Sequence, residues 1–531
     1  MSSRPLEVTS EVERKYDVDA KTVLPSLGGV DGIARMGQPR EHRLEAVYYD
    51  TAGMDLTRHR VTLRRRTGGD DAGWHLKLPS SGGDARTEIR LPLGTRARKA
   101  KGGGSGQSFP VPAQLLAPVR AIVRDRPLVP IAQLSTRRRE HELFDEHGDV
   151  VAHLCDDEVE AQSLVGSQAS QRWREWEVEL AGEHAGLLET VEHRLLETGA
   201  SAAGHVSKLR RALGDGLPEA QQGPDQFTET PGRAGTTAAT TGDVLLAYLV
   251  EHRAALLGHD AGVRQGDSEP VHKMRVAARR LRSALTTYRP VLGREVADPL
   301  REELRWLGLS LSDARDAHVM RGRLTAVLAA EPPELVVGPV VARLEQELGA
   351  VQQHGRELAV TALESTRYYR LLDALDDLVA SLSAESPSTP SRSEVARLVR
   401  RDWKRLRRAV RQADRADDVE ARDPALHEAR KKAKRLRYAA ESAVPVFTDD
   451  AARLASAAKA VQEALGDHQD TVVARARLRS IAMTAHLSGE NAFTFGRLHA
   501  LEQWRADRAE REFDEAWRRL SRRRLRRWLS P

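Results

Sequence analysis

Residues 11–18 read EVERKYDV. Side chains alternate along a β-strand, so this stretch puts Glu11, Glu13 and Lys15 on one face and Val12 and Tyr16 on the other. The same counting over VTLRRRTG (61–68), WHLKLP (74–79), RTEIRLPL (86–93) and EWEVELAG (175–182) groups Arg64 with Arg66, His75 with Lys77, Arg86 with Glu88 and Arg90, and Glu175 with Glu177 and Glu179. Applied to TRRRE (136–140), it groups Arg137 with Arg139. The opposite faces are apolar, with Leu63, Trp74, Leu76, Leu78, Trp176, Val178 and Leu180. One such strand describes an ordinary half-buried sheet with a solvated charged face. Taken together the charges segregate by sign, with acids at both ends of the region and bases between them. A sheet closed with that face inward lines its lumen with Glu for hard divalent cations and Arg or Lys for phosphate oxygens.

This strand-rich texture covers residues 1–213, punctuated by Gly, Pro and Asp turns. The glycines of KAKGGGSGQSFP (99–110) lack the Lys-Ser/Thr ending of a phosphate-binding loop, so the segment reads as a flexible insertion. Residues 214–242, rich in Gly, Pro and Thr without apolar period, read as a linker. From 243 to 531 the apolar spacing becomes 3.6 residues, which predicts an all-helical domain of eight to twelve helices. A length of 531 residues already argues for more than one core. The single cysteine, Cys155, excludes an internal disulfide and a Cys-based zinc cage. Together with an N-terminus free of an apolar leader and no stretch long enough to span a membrane, it sets the expectation of a cytoplasmic protein.

The helical half repeats itself. VHKMRVAARRLRSAL from Val271 matches LHEARKKAKRLRYAA from Leu426, and LSLSDARDAHVMRGRL from Leu309 matches EALGDHQDTVVARARL from Glu463. His272, Arg275, Arg279 and Arg282 fall on one helical stripe, and His427, Arg430, Lys434 and Arg437 repeat it. Neither 271–285 nor 429–440 contains Asp or Glu, whereas a solvated helix face normally mixes both signs. Two such stripes face to face suit a flexible polyanion, with Arg forks gripping its oxygens. Asp316 and Asp470 read as structural partners for these arginines. The basic run WRRLSRRRLRRWL (517–529) reads as a solvated helix end, with nucleic acid or an acidic membrane as the less favoured alternative.

The ordered set Glu11-x-Glu13-x-Lys15, YYDT (48–51), LRRR (63–66), HLKLP (75–79), RTE (86–88), Asp156-Asp157, EWEVE (175–179) and SKL (207–209) resembles the CYTH domain of the triphosphate tunnel metalloenzymes. That resemblance implies a closed antiparallel eight-stranded tunnel using Mg²⁺ or Mn²⁺ against a terminal phosphate. Carried over by position, Glu11, Glu13, Glu177 and Glu179 would hold metal, with the choice among Glu175, Glu177 and Glu179 open. Lys15, Arg64, Arg66, Lys77, Arg86, Glu88 and Lys208 would form the catalytic lining, with Arg137 and Arg139 as further phosphate ligands. The repeats resemble the CHAD domain, whose members imply a duplicated helical bundle binding inorganic polyphosphate through the two stripes. The expectation is a triphosphatase acting on inorganic tripolyphosphate or polyphosphate ends. A thiamine triphosphatase, an adenylate cyclase or a non-catalytic polyphosphate binder are the alternatives.

Overall fold

The structure, a computed structural model, describes residues 6–79, 85–93, 109–166, 170–182, 184, 186–205, 207–214, 240–384, 392–416 and 418–530. Most of the glycine-rich insertion and of the 214–242 segment lies outside them. The chain divides into two compact units, Met1–Gln226 and Phe227–Pro531.

The first unit is built on strands β1 (Glu7–Val18), β2 (Arg35–Met36), β3 (Arg40–Asp50), β4 (Thr62–Thr67), β5 (Gly73–Pro79), β6 (Ala85–Pro92), β7 (Val129–Phe144), β8 (Val150–Ser163), β9 (Ser170–Leu180) and β10 (Ser201–Ala202). Eight of them run β1-β6-β5-β4-β3-β7-β8-β9, and β9 pairs back onto β1 to close an antiparallel barrel; β2 and β10 add short pairings to β7 and β1. Short helices α1 (Asp55–Arg58), α2 (Ala113–Leu116), α3 (Arg120–Val123), α4 (Leu187–Glu197) and α5 (Lys208–Leu213) surround it.

The barrel is inside-out relative to a protein core, because its apolar faces point outward and are covered by these helices. Tyr16, Trp176 and Val178 pack under Leu187, Leu188, Val191 and Leu195 of α4. Tyr49, Leu63, Trp74, Leu76 and Ile89 pack under Leu115, Val119 and Val123. Each buried aliphatic side chain contributes about 1.5–3 kcal/mol, so these outer layers stabilise a closed sheet whose inner face is charged. On the inner side Tyr48, Leu134, Val159 and Ala161 meet Leu209, Ala212 and Leu213 of α5. In YYDT, buried Asp50 accepts the backbone N–H groups of Thr51 (2.7 Å), Leu56 (2.8 Å) and Thr57 (2.9 Å), so it fixes the turn into α1.

The second unit is all-helical: α6 (Thr241–Gly258), α7 (Asp260–Gln265), α8 (Ser268–Thr287), α9 (Arg289–Leu292), α10 (Arg294–Ser310), α11 (Ser312–Ala329), α12 (Val340–Glu364), α13 (Thr366–Ala384), α14 (Arg392–Ala413), α15 (Val419–Ser442), α16 (Val444–Leu487) and α17 (Phe493–Leu520). Met274, Ala277, Ala278, Leu281 and Leu285 of α8 are all buried, as are Leu426, Ala429, Ala433 and Leu436 of α15. The first pair of matched blocks therefore lies on α8 and α15, which pack against each other. The second pair differs: its first copy spans the break between α10 and α11, and its twin runs uninterrupted through α16. Gly355 of α12 permits close approach to α11, since a Cβ there would lie 2.2 Å from the Ala314 nitrogen. Among the described residues, no helix is long and apolar enough to cross a membrane.

Candidate functional site

Strand register carries the charged residues into the lumen in rows. Across β1–β9, Glu13 stands opposite Glu179 and Lys15 opposite Glu177, while across β1–β6 Glu11 stands opposite Arg86. Lys77 and Glu88 are opposite each other on β5 and β6. The densest knot forms where α5 meets the barrel. Ser207 caps α5, accepting the Arg210 N–H at 3.2 Å, and so fixes the helix turn that begins at Lys208. Lys208 Nζ lies 2.9 Å from Asp157 and 2.6 Å from both Glu175 and Glu177. Arg138 donates to both Asp157 oxygens, at 2.8 and 2.7 Å, and to Glu177 at 2.6 Å.

Around this knot Lys15 is 3.0 Å from Glu13 and ion-paired with Glu177, and Lys77 is ion-paired with Glu11. His75 Nδ1 lies 3.0 Å from Glu88 Oε1, Arg64 donates to the Tyr48 hydroxyl at 3.4 Å, and Arg66 pairs with Asp71. Burial opposes charge on Glu13, yet Lys15 and Lys77 outweigh it and hold the carboxyl at about 2. Glu177 is likewise held well below the usual range against burial by Lys15, Lys208 and Arg138. Glu179 goes the other way, raised by burial and by Glu11. Burial, then Arg64 and Arg138, brings Arg66 down to about 9 in spite of the opposing pull of Glu88.

Asp157, Glu175 and Glu177 are buried, and their ligand oxygens all lie within 4.8 Å of one another, the one such group among the described residues. Three carboxylate oxygens at that spacing fit a hard divalent cation. Of the predicted metal ligands, Glu177 belongs to this triad; Glu11 and Glu13 pair with Lys77 and Lys15 just as the triad pairs with Lys208, and Glu179 stands outside the triad. Lys15, Arg64, Arg66, Lys77, Arg86, Glu88 and Lys208 occupy lumen-facing register positions or reach into it, as described.

Arg137 and Arg139 do not. The strand is in the opposite phase, and it is Arg138 that stands opposite Asp157, inside. Arg137 is 54% exposed and pairs with Glu41, while Arg139 pairs with Asp156 and Glu158. Three consecutive arginines carry no alternation of their own. Counting back by twos from buried Leu143, which packs in the outer layer, would have put 139 and 137 outside. Arg138 and Asp157 are thus lumen residues missing from the sequence-based set, and in EWEVE it is Glu175 and Glu177 that stand with Asp157.

In the helical unit the two stripes converge. Arg279 of α8 donates to the Tyr438 hydroxyl of α15 at 3.0 Å, one turn from Lys434. Arg275 is held by Asp316 at 2.7 Å. Arg430 lies over Gly466 of α16, where a Cβ would sit 3.2 Å from its Nη2. Arg437 is turned aside onto Glu441 (2.6 Å). Burial, then Arg279 and Arg430, brings Lys434 down to about 7. His272 is lowered by burial and Arg315, and His427 by burial and Lys431. Cations this close, with few carboxylates among them, form a surface organised to receive negative charge.

A family model described as the CYTH domain matches residues 9–213, and one described as the CHAD domain matches residues 247–479. Two proteins of Mycobacterium tuberculosis, each named only as an uncharacterized protein, are 40% identical over 527 residues, covering 96% of this chain and 96% of theirs. Among solved structures, PptA from Streptomyces chartreusis is 25% identical, covering 53% of this chain and 100% of its own, with a TM-score of 0.44. The CHAD domain from the plant Ricinus communis is 26% identical, covering 55% and 95%, with a TM-score of 0.44.

Proposed function

Because the chain belongs to the family that joins a CYTH domain to a CHAD domain, we propose that it is a metal-dependent triphosphatase whose helical unit binds polyphosphate. Its substrate is inorganic tripolyphosphate or the end of a longer polyphosphate chain. The observation that carries this reading is the pairing, in one closed lumen, of the Asp157–Glu175–Glu177 triad with buried Arg66 and half-buried Lys15, Lys77, Lys208, Arg64 and Arg138. Phosphoanhydride cleavage asks for both, since oxygen ligands select a hard cation and fixed cations offset charge on the transferring phosphoryl group.

Mg²⁺ or Mn²⁺ bound at the triad supplies Lewis-acid polarisation and a more acidic water. The chain's own residues do the rest. Lys15, Lys77, Arg64, Arg66, Arg86 and Arg138 bind phosphate oxygens, with Lys15, Lys77, Arg66 and Arg138 exchanging their present carboxylate partners for the substrate. Lys208 bridges the triad and the phosphate. Glu88, held between His75 and Lys77, orients Lys77 toward the lumen axis.

The test is phosphate release from tripolyphosphate, ATP, thiamine triphosphate and long-chain polyphosphate, each with Mg²⁺ and with EDTA. Turnover of tripolyphosphate or polyphosphate that disappears in EDTA is the expected result. Preferential turnover of an organic triphosphate transfers the assignment to that substrate, and undiminished turnover in EDTA overturns the metal requirement.

A further inference from the structure

The arginine-rich run near the C-terminus finds a role in where it packs. Its 3₁₀ segment, Arg523–Leu529, lies on α14 and α16. Trp517 stacks on Trp403 with centroids 5.4 Å apart, Arg526 sits 4.3 Å over the Trp403 ring, and Trp528 lies 4.3 Å from Phe447. This aromatic clamp brings Arg523, Arg524 and Arg527 to the same side of the unit as α14. On α14, Arg401, Lys404, Arg407, Arg408 and Arg411 are all exposed. Among the described residues none of these eight cations forms an ion pair with a carboxylate. Arg526 is lowered by burial and then by Arg407 and Arg523, which sets cations from both stretches side by side. Holding them there is unfavourable unless a polyanion offsets the repulsion.

The patch is not isolated from the paired stripes. Thr286 of α8 lies four residues after Arg282; its hydroxyl accepts from Arg301 Nε at 2.8 Å and its carbonyl from Arg435 Nη2 at 3.2 Å. Arg435 Nε is 2.7 Å from Asp402 Oδ1, and Arg405 Nη1 is 2.8 Å from the same oxygen. Asp402 is itself buried and also accepts from Thr287 at 2.7 Å, so it anchors this relay and is not an exposed acid interrupting it. Cations therefore follow one another from Arg279 and Arg282 through Arg301, which also pairs with Asp298 at 2.5 Å, to Arg435 and Arg405 and onto the outer face of α14.

We propose that polyphosphate binding does not end at the two stripes: a long chain leaves them past Arg301 and Arg405 and is gripped a second time along α14 and the C-terminal arginines. This rests on the helical unit being a polyphosphate binder. A chain too short to span both segments engages the stripes alone, while a long one gains a tethered second contact at high effective concentration. Duplex or single-stranded nucleic acid is the weaker fit, because Trp403 is buried between Trp517 and Arg526, and Trp528 is packed on Phe447.

The test uses the full chain with Arg401→Gln, Lys404→Gln and Arg408→Gln combined, and separately Arg523→Gln, Arg524→Gln and Arg527→Gln combined. Affinities are measured for a polyphosphate of about ten residues, one of several hundred, a single-stranded RNA and vesicles of anionic lipid, over a range of salt. Each triple variant is expected to lose about tenfold in affinity for the long chain, and to shallow its log–log salt dependence by about two. The short chain is expected to change less than about twofold. An unchanged long-chain affinity, an equal loss for both lengths, or a loss confined to RNA or vesicles overturns the proposal. If neither length binds the unaltered protein, it is the polyphosphate reading itself that fails. Unchanged melting temperatures exclude unfolding as the cause of a loss.

Discussion

Replacing Lys434 by arginine separates the proton-linked part of polyanion binding from the part due to charge alone. In the free protein, burial, then Arg279 and Arg430, hold the Lys434 amine at about 7, against a smaller opposing pull from Asp470. An unperturbed lysine sits at about 10.4. A polyanion between the stripes sets attraction in place of repulsion and favours the charged amine, so the bound value lies above the free one and binding takes up a proton. The linked stabilisation is fully present below pH 7 and is lost as pH rises through the free value toward the bound one. With a bound value restored to about 10.4, uptake at pH 7.5 is roughly 0.75 proton, and affinity falls about fivefold from pH 7 to 8 and about fiftyfold from pH 7 to 9. His272 and His427, both shifted downward, contribute below this window. Calorimetry in two buffers of different ionisation enthalpy counts the proton directly. Lys434→Arg keeps its charge throughout and should show almost no uptake at pH 7.5 and a flat affinity between pH 7 and 9. Uptake absent in the native protein, or undiminished in Lys434→Arg, refutes the reasoning.

Strand phase in the barrel is tested by thermal melting: Arg138→Gln strips three charge-assisted contacts from two buried carboxylates and should cost about 3–5 kcal/mol. Arg137→Gln, at an exposed pair, and Arg139→Gln, whose buried partner Asp156 keeps Arg174, should each cost about 1 kcal/mol or less, and the reverse ranking would contradict the register. Glu13→Gln removes a predicted metal ligand and one of the two carboxylates paired with Lys15, and should abolish phosphate release while far-UV circular dichroism stays native; full turnover would remove Glu13 from the metal-binding set. A fragment of residues 1–213 should hydrolyse tripolyphosphate and one of residues 243–531 should bind long polyphosphate without hydrolysing it, and failure of both to fold would show a shared core.

Alternation made most of the barrel legible, because strands such as EVERKYDV and EWEVE interleave charged with apolar residues and so declare their two faces. TRRRE carried no such interleaving, and its phase depended on Leu143 packing against a helix distant in sequence. The triad was equally hidden: Asp157 and Glu175 become partners only because β8 lies beside β9 and α5 brings Lys208 between them. In the helical half the stripes were visible from spacing and the absence of acids. The hub at Thr286 joins α8, α10 and α15, and the clamp on Trp403 joins α14 to the chain end, so neither leaves a local pattern.

Helix α5 bears on how the tunnel comes into being. Asp157, Glu175 and Glu177 are in place once β8 and β9 have paired, yet until Lys208 arrives one of their principal counter-charges is missing. Lys208 belongs to the last element of its unit to leave the ribosome, and synthesis proceeds from the N-terminus at a pace that lets earlier strands associate first. Docking of α5 therefore does two things at once, covering Leu134 and Val159 and bringing Lys208 to the three carboxylates.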